Sequence, residues 1–474
     1  MLPTPYGGEG GVDYTPLMLR RLNEESVLFA SVLKWFILAT VTGAIVGVST
    51  AIFLKALAWC VSFADGYRYY SLLLPVAFVV SVLLIGKLAP DAEGHGTEKV
   101  IEAIHVRSGR IKAAVVPVKL AATLVTLGCG GSAGKEGPCA QIGAGLASLF
   151  ADLLRLSEHD RRKIVICGIS AGFASVFGTP VAGAIFGVEV LFVGSILYEV
   201  LLPSFIAGVT AYEISSALGI RYFSHAVGVV PVFTETFFVE VALGGVFMGL
   251  CAFVMIETMK TGKALADRVR VAAALKGLVG GAALVALSFV FSRRFLGLGL
   301  DTIEAALKGS PVPWYAFAVK SLFTSITLNF GGSGGIVTPV FFVGAASGSL
   351  YAHLTGLDPA TFAAIGLVAV LAGAANTPIA AAIMALEMFG PALGPYAAVA
   401  CVISFLMTGH RSVYPSQVLA VAKSSSLHSE LGHEIERVAT EVRPTGARWA
   451  ARIRRALRRR RPPSAGGSDT SADA

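Results

Sequence analysis

The chain has 474 residues, of which 55% are hydrophobic and only 14% charged, and its mean hydropathy is +0.72. Soluble proteins carry roughly a quarter charged residues, so the composition excludes a soluble enzyme, a disordered chain and a plain nucleic-acid binder and leaves a multi-span membrane protein. The net charge is +8, and residues 411–474 supply most of it with 12 Lys+Arg against 6 Asp+Glu, which reads as a basic segment beside anionic lipid.

Residues 1–30 read as an N-terminal cytoplasmic segment without the pattern of a signal peptide. Arg20, Arg21 and Lys34 then flank the first apolar block, and the positive-inside bias puts that end in the cytoplasm. A span needs about 20 mostly apolar residues. Residues 35–54 and 69–86 give the first two, and apolar blocks follow near 113–134, 164–188, 196–220, 241–256, 277–292, 313–357, 359–386 and 388–410. The 37 residues 321–357 hold no acidic residue, Lys or Arg but are broken by Gly331, Gly332, Gly334, Gly335 and Pro339. That predicts two half-length helices meeting inside the bilayer, tolerated only where protein or a wet cavity surrounds them. The spans end near 423, and residues 424–474 are expected to form a disordered basic cytoplasmic tail. Cys60, Cys129, Cys139, Cys167, Cys251 and Cys401 lie in or beside apolar segments without metal-ligand spacing, so neither a metal nor another cofactor is expected.

The chain repeats itself. Val118–Pro138 and Val319–Pro339 match at ten of 21 positions with an offset of 201. Gly168–Glu189 matches Gly366–Glu387 at an offset of 198, pairing Thr179-Pro180 with Thr377-Pro378 and Glu189 with Glu387. Two matched blocks imply a duplicated membrane unit, with repeats of about 35–220 and 230–423. Duplication with Gly/Pro-broken segments points to a substrate site at the repeat interface near mid-membrane. The expected fold is therefore all-α and polytopic, a duplicated unit with broken helices meeting at mid-membrane.

Each copy carries a GGS turn, a glycine (Gly134, Gly335) and a proline four residues later (Pro138, Pro339). Proline suits the first turn of a helix, and a helix N-terminus presents free N–H donors and partial positive charge. Two such starts aimed at one point make an anion site without a full positive charge, so the substrate is a small anion. Glu136 stands at one of these starts. Its carboxylate can occupy the anion site itself and leave when protonated or displaced, which describes a gate and a candidate proton carrier. The plainer alternative is an acid that only stabilises its helix.

On these residues the sequence resembles the CLC family of chloride channels and chloride/proton exchangers, over about residues 30–423. GKEGP (134–138) is similar to the family's GREGP, and GGIVTP (334–339) to its GIFAP. GHGTEKV (94–100) sits where the family has GSGIP, with Gly94 and Gly96 kept, His95 in place of the serine and the proline missing. Tyr414 matches the family's central tyrosine. The resemblance implies that Glu136 is the gating glutamate. It implies that the amides of Ile336 and Val337 bind a central anion with the Tyr414 hydroxyl, and that the amides of Lys135 and Gly137 line an outer site. It also implies chloride as the anion, a homodimer with one pathway per subunit in the plasma membrane, and both termini in the cytoplasm. With about 50 residues after 423, the expectation is a prokaryotic type without the paired CBS domains of many members.

Two departures bear on mechanism. At His95 either the backbone N–H alone serves the anion or the imidazole donates as well. Val190 aligns where the exchangers carry a second glutamate that relays protons, which tilts the expectation towards a passive channel, with a chloride/proton antiporter using another proton route as the alternative. Glu189 and Glu387 read as structural acids near helix ends. Lys119 and Lys320, also matched between repeats, either raise the local positive potential or pair with these acids. No paired acids, nucleophile–base set or HExxH motif supports an enzyme, and a membrane-embedded enzyme is a remote alternative.

Overall fold

A computed structural model describes residues 17–67, 69–222 and 234–442. Among these residues sixteen α-helices fall into two sets of eight in the same order. The first set is α1 (Leu17–Asp65), α2 (Leu74–Leu88), α3 (Thr97–Val106), α4 (Val115–Gly128), α5 (Glu136–Leu153), α6 (Glu158–Phe177), α7 (Pro180–Glu189) and α8 (Tyr198–Ala217). The second is α9 (Glu235–Arg268), α10 (Ala273–Val290), α11 (Leu300–Leu307), α12 (Ala316–Asn329), α13 (Val337–Thr355), α14 (Pro359–Ala375), α15 (Pro378–Phe389) and α16 (Gly394–Met407). Among the described residues six helices are long and apolar enough to cross a membrane. The spans expected from the sequence each coincide with a helix or a broken pair, and α5, which falls between the blocks 113–134 and 164–188, and the short α3 and α11 are added to them.

The breaks have local causes. The apolar block 164–188 divides because Gly178 takes a left-handed φ of +75° and Pro180 opens the next helix. The matching break sets Asn376, at φ +57°, before Pro378. A left-handed residue ends a helix and a proline at the first turn starts one without losing a hydrogen bond. The block 313–357 splits into α12 and α13 around the glycine turn 330–336, as its glycines and Pro339 predict.

Contacts between the two sets are reciprocal, as a two-fold relation requires. The amide of Ser132 donates to the Thr327 hydroxyl and that of Ser333 to the Thr126 hydroxyl, both at 3.0 Å. Small residues let the helices close on one another, which drives packing where lipid replaces water. Gly43 and Gly47 of α1 lie against the α8 backbone, and Gly245 and Gly249 of α9 lie against α16. The GxxxG spacings thus serve packing within one subunit.

After α16 the chain crosses back to the first repeat. Strand β1 (Phe192–Val193) pairs in parallel with β2 (Val418–Leu419). The chain stays packed beyond the boundary at 423 expected from the sequence. Strands β3 (Leu427–His428) and β4 (Glu441–Val442) pair antiparallel, Ile435 N donates to Gln417 O at 2.8 Å, and Leu419 N donates to His433 O at 3.0 Å. The arginine run 452–461 lies outside the described residues.

Candidate functional site

Helices α3, α5 and α13 begin close together. Gly134 and Gly335 exchange two backbone hydrogen bonds, N to O, at 2.7 and 2.6 Å, which fastens the starts of α5 and α13. A methyl at Gly96, which has φ +83°, would lie 2.5 Å from Gly137 O, and one at Gly335 would lie 2.6 Å from Gly137 N. Only glycine permits this approach. The N-cap residues of α3, α5 and α13 place no side chain of their own on these starts, so the first amides are open to an acceptor from elsewhere, an anion or a carboxylate. Gly94, Gly334, Pro138 and Pro339 complete the three turns, the prolines inside the first turns of α5 and α13.

Glu136 is 1% exposed and lies across the start of the other repeat's helix. Its Oε2 accepts from Thr338 N at 3.1 Å, and its Oε1 accepts a short hydrogen bond from the Thr338 hydroxyl. A carboxylate therefore occupies donors at the N-terminus of α13. The sequence does not disclose this pairing: Thr338 stands out there only as a hydroxyl where the resembling motif has alanine.

Tyr414 is fully buried, and among the described residues its hydroxyl has no hydrogen-bond partner. Its loop is fixed by Gln417. The Gln417 amide donates to Val190 O at 2.7 Å and to Ala375 O at 2.8 Å, and its oxygen accepts from Asn376 and from the Ser412 hydroxyl. Val190 is buried without exposure, so the wall at that position is apolar. The His95 ring centroid lies 5.7 Å from that of Tyr414, and its buried Nδ1 has no partner among the described residues. The structure thus gathers Glu136, His95, Tyr414 and the starts carrying Lys135, Gly137, Ile336 and Val337 into one region.

The repeat-matched lysines do not pair with the repeat-matched acids. Lys119 Nζ donates to Ala92 O at 3.1 Å and Gly94 O at 2.6 Å, while Lys320 Nζ donates to Phe295 O and Gly297 O at 3.1 and 2.8 Å. Each holds the loop leading into α3 or α11, and the Lys119 loop carries His95. Glu189 accepts from the amides of Ile379 and Ala380, and Glu387 from those of Val181 and Ala182. The two acids cap each other's opposite helix starts, a structural arrangement.

A cavity of about 450 Å³ opens beneath His95, lined among others by Lys260, Lys263, His410, Arg411, Pro415 and Glu436. Residues of the 424–442 segment form one of its walls.

Facing helix starts in an inverted repeat, with a buried acid laid across one of them, define a membrane protein for anion transport. Residues 77–409 match the voltage gated chloride channel family, and the chain belongs to it. A "Chloride/fluoride channel protein" of Pseudomonas syringae pv. tomato is 37% identical over 426 residues, 88% of this chain and 92% of that one. A solved CLC-type fluoride/proton antiporter superposes with a TM-score of 0.78 at 29% identity, covering 81% of this chain and 98% of that one. A slow cyanobacterial Cl−/H+ antiporter shares the fold, with a TM-score of 0.67 at 22% identity over 79% and 94% of the two chains. These relatives are channels and transporters, not enzymes.

Proposed function

We propose that this chain moves halide ions across the plasma membrane in exchange for protons, with Glu136 as gate and outer proton carrier in each subunit of a homodimer. Both termini face the cytoplasm in this reading, and the cavity beneath His95 is the inner vestibule. The carrying observation is the Glu136 carboxylate held by Thr338 on the start of α13, where a substrate anion would take the same donors. Protonation removes the charge that holds the carboxylate there, and the anion and the gate exchange places. The amides of Ile336 and Val337 and the Tyr414 hydroxyl would hold the central anion, the amides of Lys135 and Gly137 the outer one. The His95 imidazole, with its Nδ1 unpartnered and its ring beside Tyr414, adds a side-chain donor on the vestibule side. Chloride follows from the family, and the name of the Pseudomonas relative brings fluoride into the same class.

The test is the reversal potential of purified protein in liposomes under a chloride or fluoride gradient, with a proton gradient then added. The potential is expected to shift with the proton gradient, and Glu136→Gln to abolish that shift while halide flux continues. The reading fails if Glu136→Gln leaves both flux and its pH dependence unchanged. Val190 favours the second reading, a passive channel, because the site offers no acid at that position; a potential that follows the halide alone selects it.

A further inference from the structure

In the exchange reading a protonatable group between the inner vestibule and Glu136 would carry the proton, and the wall at Val190 is apolar. Four neighbouring groups compete for that role. Glu189 has both oxygens taken by backbone amides of α15, so its carboxylate is committed to capping. Lys119 is committed to two carbonyls. His95 faces the vestibule but sits among cations, with Lys119, Lys263 and Lys99 acting on it. The fourth is Glu98, in the first turn of α3, at the place in GHGTEKV where the resembling motif has its proline.

Only one oxygen of Glu98 is committed. Its Oε1 accepts from Ser416 N at 2.9 Å and a short bond from the Ser416 hydroxyl. Its Oε2 is buried and has no partner among the described residues. Tyr414 stands two residues before Ser416, and the carboxyl groups that act on its phenol are those of Glu136 and Glu98. Lys263, whose side chain lines the vestibule, acts on Glu98 in turn. Glu98 and Glu136 thus both lie near Tyr414, and the next residue after it, Pro415, lines the vestibule.

We infer that Glu98 is the inner proton-transfer residue of this chain, taking a proton from the vestibule on Oε2 and passing it across the Tyr414–His95 space to the Glu136 carboxylate. The proton leaves Glu98 ionised and makes Glu136 neutral, so that the gate lets go of Thr338, and the cycle runs backwards as readily. The groups facing Glu98 fit this duty. Burial favours the neutral form of Glu98, while Ser416, Lys99 on its own helix and Lys263 of α9 favour the ionised one. Lys99 is also paired with Glu102 at 2.9 Å. From α5, Glu136 acts on the Tyr414 phenol, as Glu98 does from α3. Helix α6, packed at the far end of α3, brings Arg162 to His105 instead. His95 and Tyr414 complete the surroundings.

The inference rests on the exchange reading, and the experiment separates the two. Proton and halide fluxes are measured together in liposomes for the unaltered protein, Glu98→Gln and Ser416→Ala. Glutamine keeps an oxygen for both Ser416 donors but cannot carry a proton. Glu98→Gln is expected to keep halide flux and to lose proton movement roughly a hundredfold, the contribution of a positioned proton-transfer group. Ser416→Ala weakens the same tie but leaves the carboxylate, and is expected to stay coupled. Coupling retained in Glu98→Gln overturns the inference while leaving the exchange reading intact. Uncoupling by Ser416→Ala to the same extent also overturns it, because the tie and not the proton would then carry the effect. An unaltered protein that moves no protons fails the exchange reading first, before any substitution is made.

Discussion

At Thr338 one hydroxyl and one amide hold the Glu136 carboxylate on α13. Thr338→Val keeps the volume and the amide and deletes the hydroxyl donor. A hydrogen bond to a charged group contributes about 1.5–3 kcal/mol, and about 1.4 kcal/mol is a factor of ten in an equilibrium. In the proposed function the Glu136 carboxylate uses both donors at once, whereas a monatomic anion can keep the Thr338 amide alone, so losing the hydroxyl weakens the gate more than the anion. The apparent halide affinity is expected to rise about tenfold or more in this variant, read from the concentration dependence of flux in liposomes. A half-saturation unchanged from the parent would mean that the Thr338 amide alone holds the gate.

Helices and loops show what duplication preserves and where the copies diverge. Lys119 and Lys320 make matched pairs of bonds to matched loops, but only the first loop leads into the site. Lys119→Met and Lys320→Met each strip a donor from two carbonyls, and an unsatisfied buried acceptor costs about 1–3 kcal/mol. Both are expected to lower thermal stability in detergent by similar amounts. Lys119→Met should in addition depress flux per folded molecule, because the freed loop carries His95; equal flux in the two variants would deny the loop that role. The sequence makes the helix starts legible for a plain reason. Gly134-to-Pro138 and Gly335-to-Pro339 repeat at a fixed offset, and glycine and proline act on their own neighbours. The caps Glu189 and Glu387 are legible as matched acids for the same reason. Thr338 on Glu136 and Ser416 on Glu98 are not, since those partners stand 202 and 318 residues apart. No local pattern marks such a meeting. Residues 424–442 escape notice as well, because strands of two residues leave no periodicity to read.

Across the whole molecule, charge at the vestibule acts on approach more than on stability. The mouth brings Lys260, Lys263 and Arg411 against Glu257 and Glu436. Burial and then Lys423 and Arg411 hold His410 below the usual imidazole range. Arg411 lies 3.1 Å from Glu257 and Lys263 3.0 Å from Glu436, the latter pair with side chains 53% and 60% exposed. Such exposed pairs contribute about 0–1 kcal/mol to stability. The excess positive charge instead raises the local concentration of anions at a narrow opening. Lys260→Gln with Lys263→Gln is therefore expected to leave the melting temperature nearly unchanged and to slow halide flux several-fold in dilute salt. The slowing should fade as ionic strength approaches about 0.15 M, where the Debye length falls to about 8 Å. A deficit that persists unchanged at high salt would instead make these lysines part of the binding site itself, because screening by mobile ions cannot replace a contact.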